Sequence, residues 1–220
     1  MASGKRIVEA YVGEYASGKS EISINRALEL KEIGHVVTLV DLDVVEPFYT
    51  LRPLMSLLTK KDLHVITMTD SFGLGETGAM LNPKARWALR HEGDIIMDIG
   101  YGVHGAGILN LVEGASTSSE LQILAVLNFM RPMTSSQERI INYLRNLGRI
   151  DGIIANTHLA EQTSLEIVKH GYDEILAVSR KINIPIKYVT VDIALKDQIK
   201  PDFFFHPLKY IKRYMPQALW

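Results

Sequence analysis

Cysteine is absent from the 220-residue chain. That excludes a disulfide scaffold, a thiolate metal site, a cysteine nucleophile and an iron–sulfur cluster held by this chain alone. Charge of one sign is also scarce: 24 Lys and Arg stand against 25 Asp and Glu. Non-specific nucleic-acid binding draws most of its affinity from phosphate neutralisation, so this balance, with no long basic block, speaks against that class. No run approaches the roughly 18 apolar residues that a membrane-spanning helix needs. The opening MASGKRIVEA leads into a strand pattern without an apolar leader, so the cytoplasm is the expected compartment. Repeats and low-complexity tracts are missing too. The histidines at 35, 64, 91, 104, 158, 170 and 206 never fall at H-x-x-x-H or H-E-x-x-H spacing, so no zinc site is expected.

What is present is a core: 47% of the residues are apolar, enough for one domain spanning residues 1–220. Apolar runs alternate with amphipathic stretches, the pattern of a parallel sheet covered by helices. Strands are expected over 7–12, 36–40, 63–67, 94–98, 121–127, 152–155 and 186–191. Helices are expected over 21–33, 137–147 and 164–182, the last opened by Thr163 and Glu166 at capping-box spacing. The Gly- and Pro-bearing stretch 69–83 reads as a long surface loop.

The first expected strand runs into Gly13-Glu14-Tyr15-Ala16-Ser17-Gly18-Lys19-Ser20, followed by Glu21 at the head of a helix. This is G-x-x-x-x-G-K-[ST] in its strand-to-helix context. Such a loop curls so that backbone N–H groups converge on a phosphate at a positive helix N-terminus. Lys19 supplies a point charge for β- and γ-phosphates, and the Ser20 hydroxyl is a ligand for Mg²⁺. The expected fold is therefore α/β, a mainly parallel sheet flanked by helices in the three-layer arrangement of P-loop nucleoside triphosphatases. A metal-bound triphosphate also needs carboxylates at neighbouring strand ends, because a hard cation takes oxygen ligands. Asp41 and Asp43 end one strand on the same side, and Asp98 closes the apolar run from Asp94. Gly100–Gly107 follows as a flexible run suited to sensing a γ-phosphate. Asn156 closes another strand, where ligands of open sheets bind; it is a reader of a nucleotide base or a turn-forming residue.

The order of P-loop, D-L-D strand end, D-I-G strand end and late strand-terminal Asn resembles the MinD/ParA/cobyrinic-acid-synthase-like P-loop ATPases over residues 7–199. That group includes the nitrogenase iron protein, dethiobiotin synthetase and metallocentre-maturation ATPases. The resemblance implies that ATP and Mg²⁺ are bound, with Lys19 and Ser20 on the phosphates and metal. It implies that Asp43 orients the attacking water, that Asp98 holds Mg²⁺ through water, and that Asn156 contacts adenine, with Val191–Ile193, including Asp192, on the other side of the base. Glu14 stands where many members carry a signature lysine that reaches across a dimer, which puts a sandwich homodimer in doubt. Asn156-Thr157-His158-Leu159 lacks the Asp of a guanine-reading N-K-x-D, so adenine is favoured.

The implied activity is slow ATP hydrolysis that switches a partner protein, in metalloenzyme maturation for example. The alternative is an ATP-dependent small-molecule kinase or ligase resembling dethiobiotin synthetase, with the 69–83 loop, Lys84, Arg86 and Arg90 as acceptor site. Arg52 and Arg131 are cations within plausible reach of phosphates, or plain surface arginines. His104 is a site residue or an exposed imidazole. The amphipathic, locally basic tail from Phe203 to Met215 is read as a short helix docked on the sheet, or as a surface for a membrane or partner.

Overall fold

Strands buried on both faces read as unbroken apolar runs, and every residue of β2 (Val37–Leu42) and of the fourth strand, Asp94–Ile99, is buried. The structure, a computed structural model, describes residues 5–43, 51, 54–67 and 83–215. Along the chain come β1 (Val8–Gly13), α1 (Lys19–Glu32), β2, α2 (Met55–Lys60), β3 (His64–Ile66), α3 (Pro83–Arg86) and β4 (Asp94–Ile99). Then follow α4 (Gly102–Gly107), β5 (Leu121–Leu127), α5 (Gln137–Leu147), β6 (Gly152–Ala155), α6 (Leu165–Ile182), β7 (Ile186–Asp192) and β8 (Leu208–Ile211). Among the described residues the strands make one sheet of eight, ordered β3-β2-β4-β1-β5-β6-β7-β8, with every neighbouring pair parallel.

Alternation along each strand sends side chains to two apolar layers. Tyr11, Leu39, Ile96 and Ile154 pack with Ile22, Leu28 and Leu58 of α1 and α2. Val12, Val40, Met97 and Ala155 pack with Ile140, Val168 and Tyr172 of α5 and α6. Helices thus cover both faces, giving the three-layer α/β/α arrangement of P-loop nucleoside triphosphatases. A half-buried polar clamp sets α1 against β1: Arg26 donates through Nε and Nη2 to the two carboxylate oxygens of Glu9, at 3.0 and 3.2 Å, and Tyr11 Oη donates to the same acid. Among the described residues no helix is long and apolar enough to cross a membrane.

The expected strand and helix positions hold, with ends moved by a residue or two. Three readings change. The tail is not a helix: Leu208–Ile211 is a strand that extends the sheet beside β7, from Val189 opposite Leu208 to Asp192 opposite Ile211. Its Leu-Lys-Tyr-Ile sequence suits a pleated surface, and pairing satisfies an otherwise exposed edge. The cap of α6 is Ser164, whose Oγ accepts from Ile167 N at 3.3 Å. Thr163 is engaged one turn earlier, accepting from Leu159 N and donating to Ala160 O. The glycine-rich run after Asp98 forms a short helix, α4, in which Gly105 lies so close to Gly100 that a Cβ would stand 2.1 Å from its carbonyl oxygen. The loop expected over 69–83 lies outside the described residues up to Pro83, which opens α3.

Gly171 of α6 lets the helix approach the segment after β6, since a Cβ there would meet Thr157 Oγ1 at 2.1 Å. In an exposed helix Gly→Ala stabilises, through backbone entropy. Here Gly171→Ala should destabilise by about 1–3 kcal/mol through overpacking, and adding Thr157→Ala should recover much of that loss. Urea denaturation of the four proteins measures it; stabilisation by Gly171→Ala alone would contradict the packing.

Candidate functional site

Gly13 ends β1 where the chain turns beneath the end of β5; a Cβ there would stand 2.6 Å from Val126 O. Gly18 has φ +92°, and a Cβ on it would meet Asn156 Nδ2 at 2.3 Å. Both glycines of the motif are thus fixed by close approach, and Gly18 also by its left-handed backbone. The loop closes on itself: Ser17 N donates to Glu14 O at 3.2 Å, and Lys19 Nζ donates to the same oxygen at 3.0 Å. Lys19 opens α1 and is 7% exposed. Burial lowers its pKa, against the opposing pull of Asp98, Asp43 and Glu14. A buried ammonium is thus left with one carbonyl acceptor and three carboxylates in its neighbourhood.

Opposite Lys19 the sheet gathers acid. Asp41 and Asp98 are register partners on adjacent strands, and both belong to the α1 side, with Leu39 and Ile96. Asp98 is 1% exposed, and burial pushes its carboxyl up to about 7, with Asp43 adding to the rise and Ser20 and Lys19 opposing it. Ser23 spends its proton on Lys19 O. Among the described residues neither Asp98 oxygen meets a donor in full hydrogen-bond geometry. Asp41 is fully buried, and its Oδ1 accepts from Asp43 N at 3.0 Å, which fixes the strand end that carries Asp43. A buried carboxylate with lone pairs to spare, beside a hydroxyl and a second acid, fits a hydrated divalent cation. No group of three His, Cys, Asp or Glu among the described residues could cage a metal.

Glu14 turns away from the loop's interior. Both its carboxylate oxygens accept from Met133 N at 3.0 Å, and Oε2 accepts from Thr134 Oγ1 at 3.3 Å. Burial raises its pKa, and these donors, with Arg131, offset the rise. No local pattern signals this partnership, because Met133 lies 119 residues away.

Beside Gly18 a cavity opens at the carboxyl ends of β6, β7 and β8, lined by Asn156, His158, Val191, Asp192, Ile211 and Arg213, among others. Asn156 is buried and works as a strut: Nδ2 donates to Ser17 O at 2.7 Å, and Oδ1 accepts from Thr190 Oγ1 at 2.5 Å. One Nδ2 hydrogen remains. Asp192 caps the turn after β7, accepting from Ala194 N. Glu21 is 3% exposed and accepts from Tyr214 N and Met215 N, so the P-loop helix grips the segment after β8. His158 is held neutral: burial first, then Arg131 and Arg213, lower its pKa to about 4. Arg213 and His158 were missed as site residues, since nothing in spacing links them to the loop.

Of the remaining candidates, Arg52 lies outside the described residues. Arg131 sits near Glu14 and Tyr15. His104 is exposed on α4. Arg86 pairs with Glu113 at 3.8 Å, and the Arg90 guanidinium stacks 3.9 Å over Trp87.

Neither a family model nor a curated protein matches the chain. Solved structures do. The cell division protein FtsY of Thermotoga maritima is 19% identical, with a TM-score of 0.60 over 86% of this chain and 63% of its own. The signal recognition particle receptor FtsY of Elizabethkingia anophelis, in complex with GDP, is 15% identical, with a TM-score of 0.57 over 87% and 58%. The signal recognition particle 54 kDa protein of Aeropyrum pernix, also with GDP, is 18% identical, with a TM-score of 0.53 over 86% and 42%. The chain thus spans roughly half of these proteins' length, and what it shares with them is the P-loop fold.

The strained acid gives a stability test. A carboxyl whose pKa rises to about 7 on folding costs stability as pH climbs from about 4 to 7, because the folded state keeps a proton that the unfolded state has lost. Asp98→Asn imitates the protonated form. The ligand-free variant should melt several degrees above wild type at pH 8 and level with it near pH 4. Equal melting at both pH values would show that Asp98 bears no such strain.

Proposed function

We propose that the chain is a single nucleotide-binding domain that holds ATP and Mg²⁺ on residues 13–20 and hydrolyses the ATP slowly, as a switch acting on a partner protein. The observation that supports this most is the buried Lys19 facing the buried, under-satisfied Asp98 across the adjoining ends of β1 and β4. Each charge is costly as it stands, and a metal-bound triphosphate offsets both: phosphate oxygens for the ammonium, a hydrated cation for the carboxylate. In this reading the loop Gly13-Glu14-Tyr15-Ala16-Ser17-Gly18 offers its backbone to the phosphates. Ser20 and Asp98 hold Mg²⁺, Asp41 adds charge behind them, and Asp43 orients the attacking water. Asn156 and Asp192 face the base, while Glu21 closes the rim. Bound Mg²⁺ would neutralise charge on the β- and γ-oxygens. The rest is positioning, which is most of what phosphoryl transfer asks of a protein.

The switch rests on a contact at the loop's tip. Tyr15 packs edge-on against Tyr101 at 5.4 Å, and Tyr101 stands at the N-terminal boundary of α4. Occupancy of the loop can therefore bear on α4, which presents Val103, 45% exposed, to a partner. The kinase or ligase reading loses support, because two of its proposed acceptor cations, Arg86 and Arg90, are already engaged. Glu14 is a carboxylate engaged within its own chain, so the signature-lysine position supplies no cation across a homodimer.

Calorimetry and turnover assays on two variants test the assignment. Lys19→Ala should weaken ATP·Mg²⁺ binding by about a hundredfold, the scale of lost charge-assisted hydrogen bonds. Asp43→Asn should bind as wild type yet hydrolyse far more slowly. Unchanged affinity in the first would remove the phosphate assignment, and unchanged turnover in the second would leave Asp43 structural.

A further inference from the structure

The Arg213 guanidinium is fixed at one end and unsatisfied at the other. Nη1 donates to Glu161 Oε1 at 2.8 Å, while Nη2 is buried with no hydrogen-bond partner among the described residues. A buried donor left unpaired costs stability, and native proteins retain few of them. The neighbouring acid Glu21 is close enough to interact with Arg213 electrostatically, but it accepts from Tyr214 N and Met215 N and makes no hydrogen bond to Nη2. The position of Arg213 is also overdetermined. Asn25 of α1 exchanges two hydrogen bonds with the backbone of Lys212, both 2.8 Å, and Glu21 grips the two residues after Arg213. The helix that begins at the phosphate loop therefore sets where this side chain stands. It lines the cavity beside Gly18, whose walls include Val191 and Ile211.

We propose that Arg213, carried in by β8, reads the base of the bound nucleotide by donating Nη2 to the N7 acceptor edge of a purine. This deepens the nucleotide assignment above and rests on it. A guanidinium has five donors and no acceptor, so the edge it faces must accept. The purine major-groove edge offers N7 in both adenine and guanine, with O6 added in guanine. Apolar Val191 and Ile211 suit the faces of a flat ring.

Competition against a fluorescent analogue in Mg²⁺ buffer tests it, with ATP, 7-deaza-ATP, GTP and 7-deaza-GTP on wild type and Arg213→Met. In wild type, 7-deaza-ATP should bind about tenfold more weakly than ATP, the scale of one hydrogen bond from a charged donor. The guanine pair should differ less, because O6 survives in the analogue. In Arg213→Met the difference within each pair should vanish. Wild type binding ATP and 7-deaza-ATP equally would overturn the role of Arg213 while leaving the phosphate site intact, and needs no variant to fold. A 7-deaza penalty that persists in Arg213→Met would assign N7 recognition to another donor. If none of the four nucleotides binds, the nucleotide assignment itself falls, and this inference with it.

Discussion

Lys19 and Asp98 sit in the interior at the ends of neighbouring strands, and most of the surrounding structure serves to keep them there. Taking an ammonium and a carboxylate out of water costs several kcal/mol each in real proteins. The fold accepts that cost with partial relief only: Lys19 keeps one carbonyl, and the Asp98 carboxyl, pushed up to about 7, keeps no donor in full hydrogen-bond geometry among the described residues. Sites poised in this way are where function concentrates, because a ligand that supplies the missing charges gains what folding left undone. The sheet order makes it possible. With β1 between β4 and β5, the loop after β1 emerges at a central strand end, beside the acids of β4 and β2.

Three struts from far along the chain hold the loop. Asn156 joins Ser17 to Thr190, Glu14 binds the turn after β5, and Glu21 binds the chain after β8. Each is a buried or half-buried side chain meeting backbone donors or acceptors, the kind of bond whose loss strands an unpaired polar group. Together they tie the phosphate loop to the ends of β5, β6, β7 and β8. At the loop's tip Tyr15 packs edge-on against Tyr101, next to α4.

Much of this was readable in the sequence, for local reasons. The loop announces itself because Gly13, Gly18, Lys19 and Ser20 must stand at fixed spacing to do their work. Strands β5 and β6 and helix α5 fall where periodicity puts them, because buried faces impose period on composition. Failures came where distance or competition decided. Strand β8 exists because β7 offers an unpaired edge, which no window of residues 203–215 records. Ser164 caps α6 in place of Thr163 because Thr163 is held by Leu159 and Ala160 in the preceding turn. The partners of Glu14 and the placement of Arg213 depend on contacts more than a hundred residues apart. Glu14 illustrates the division: the sequence places it at the signature-lysine position, and only the fold shows that Met133 and Thr134 receive it.

One metal-bound triphosphate would satisfy Lys19 and Asp98 together. A crystal structure of the protein grown with Mn²⁺ in place of Mg²⁺ and a non-hydrolysable ATP analogue tests it most directly. The expected result is an anomalous peak coordinated by Ser20 Oγ and by phosphate oxygens, linked through water to Asp98, with Lys19 Nζ moved from Glu14 O onto the phosphates. A metal or nucleotide bound elsewhere, with Lys19 still on Glu14 O and Asp98 as before, would contradict it.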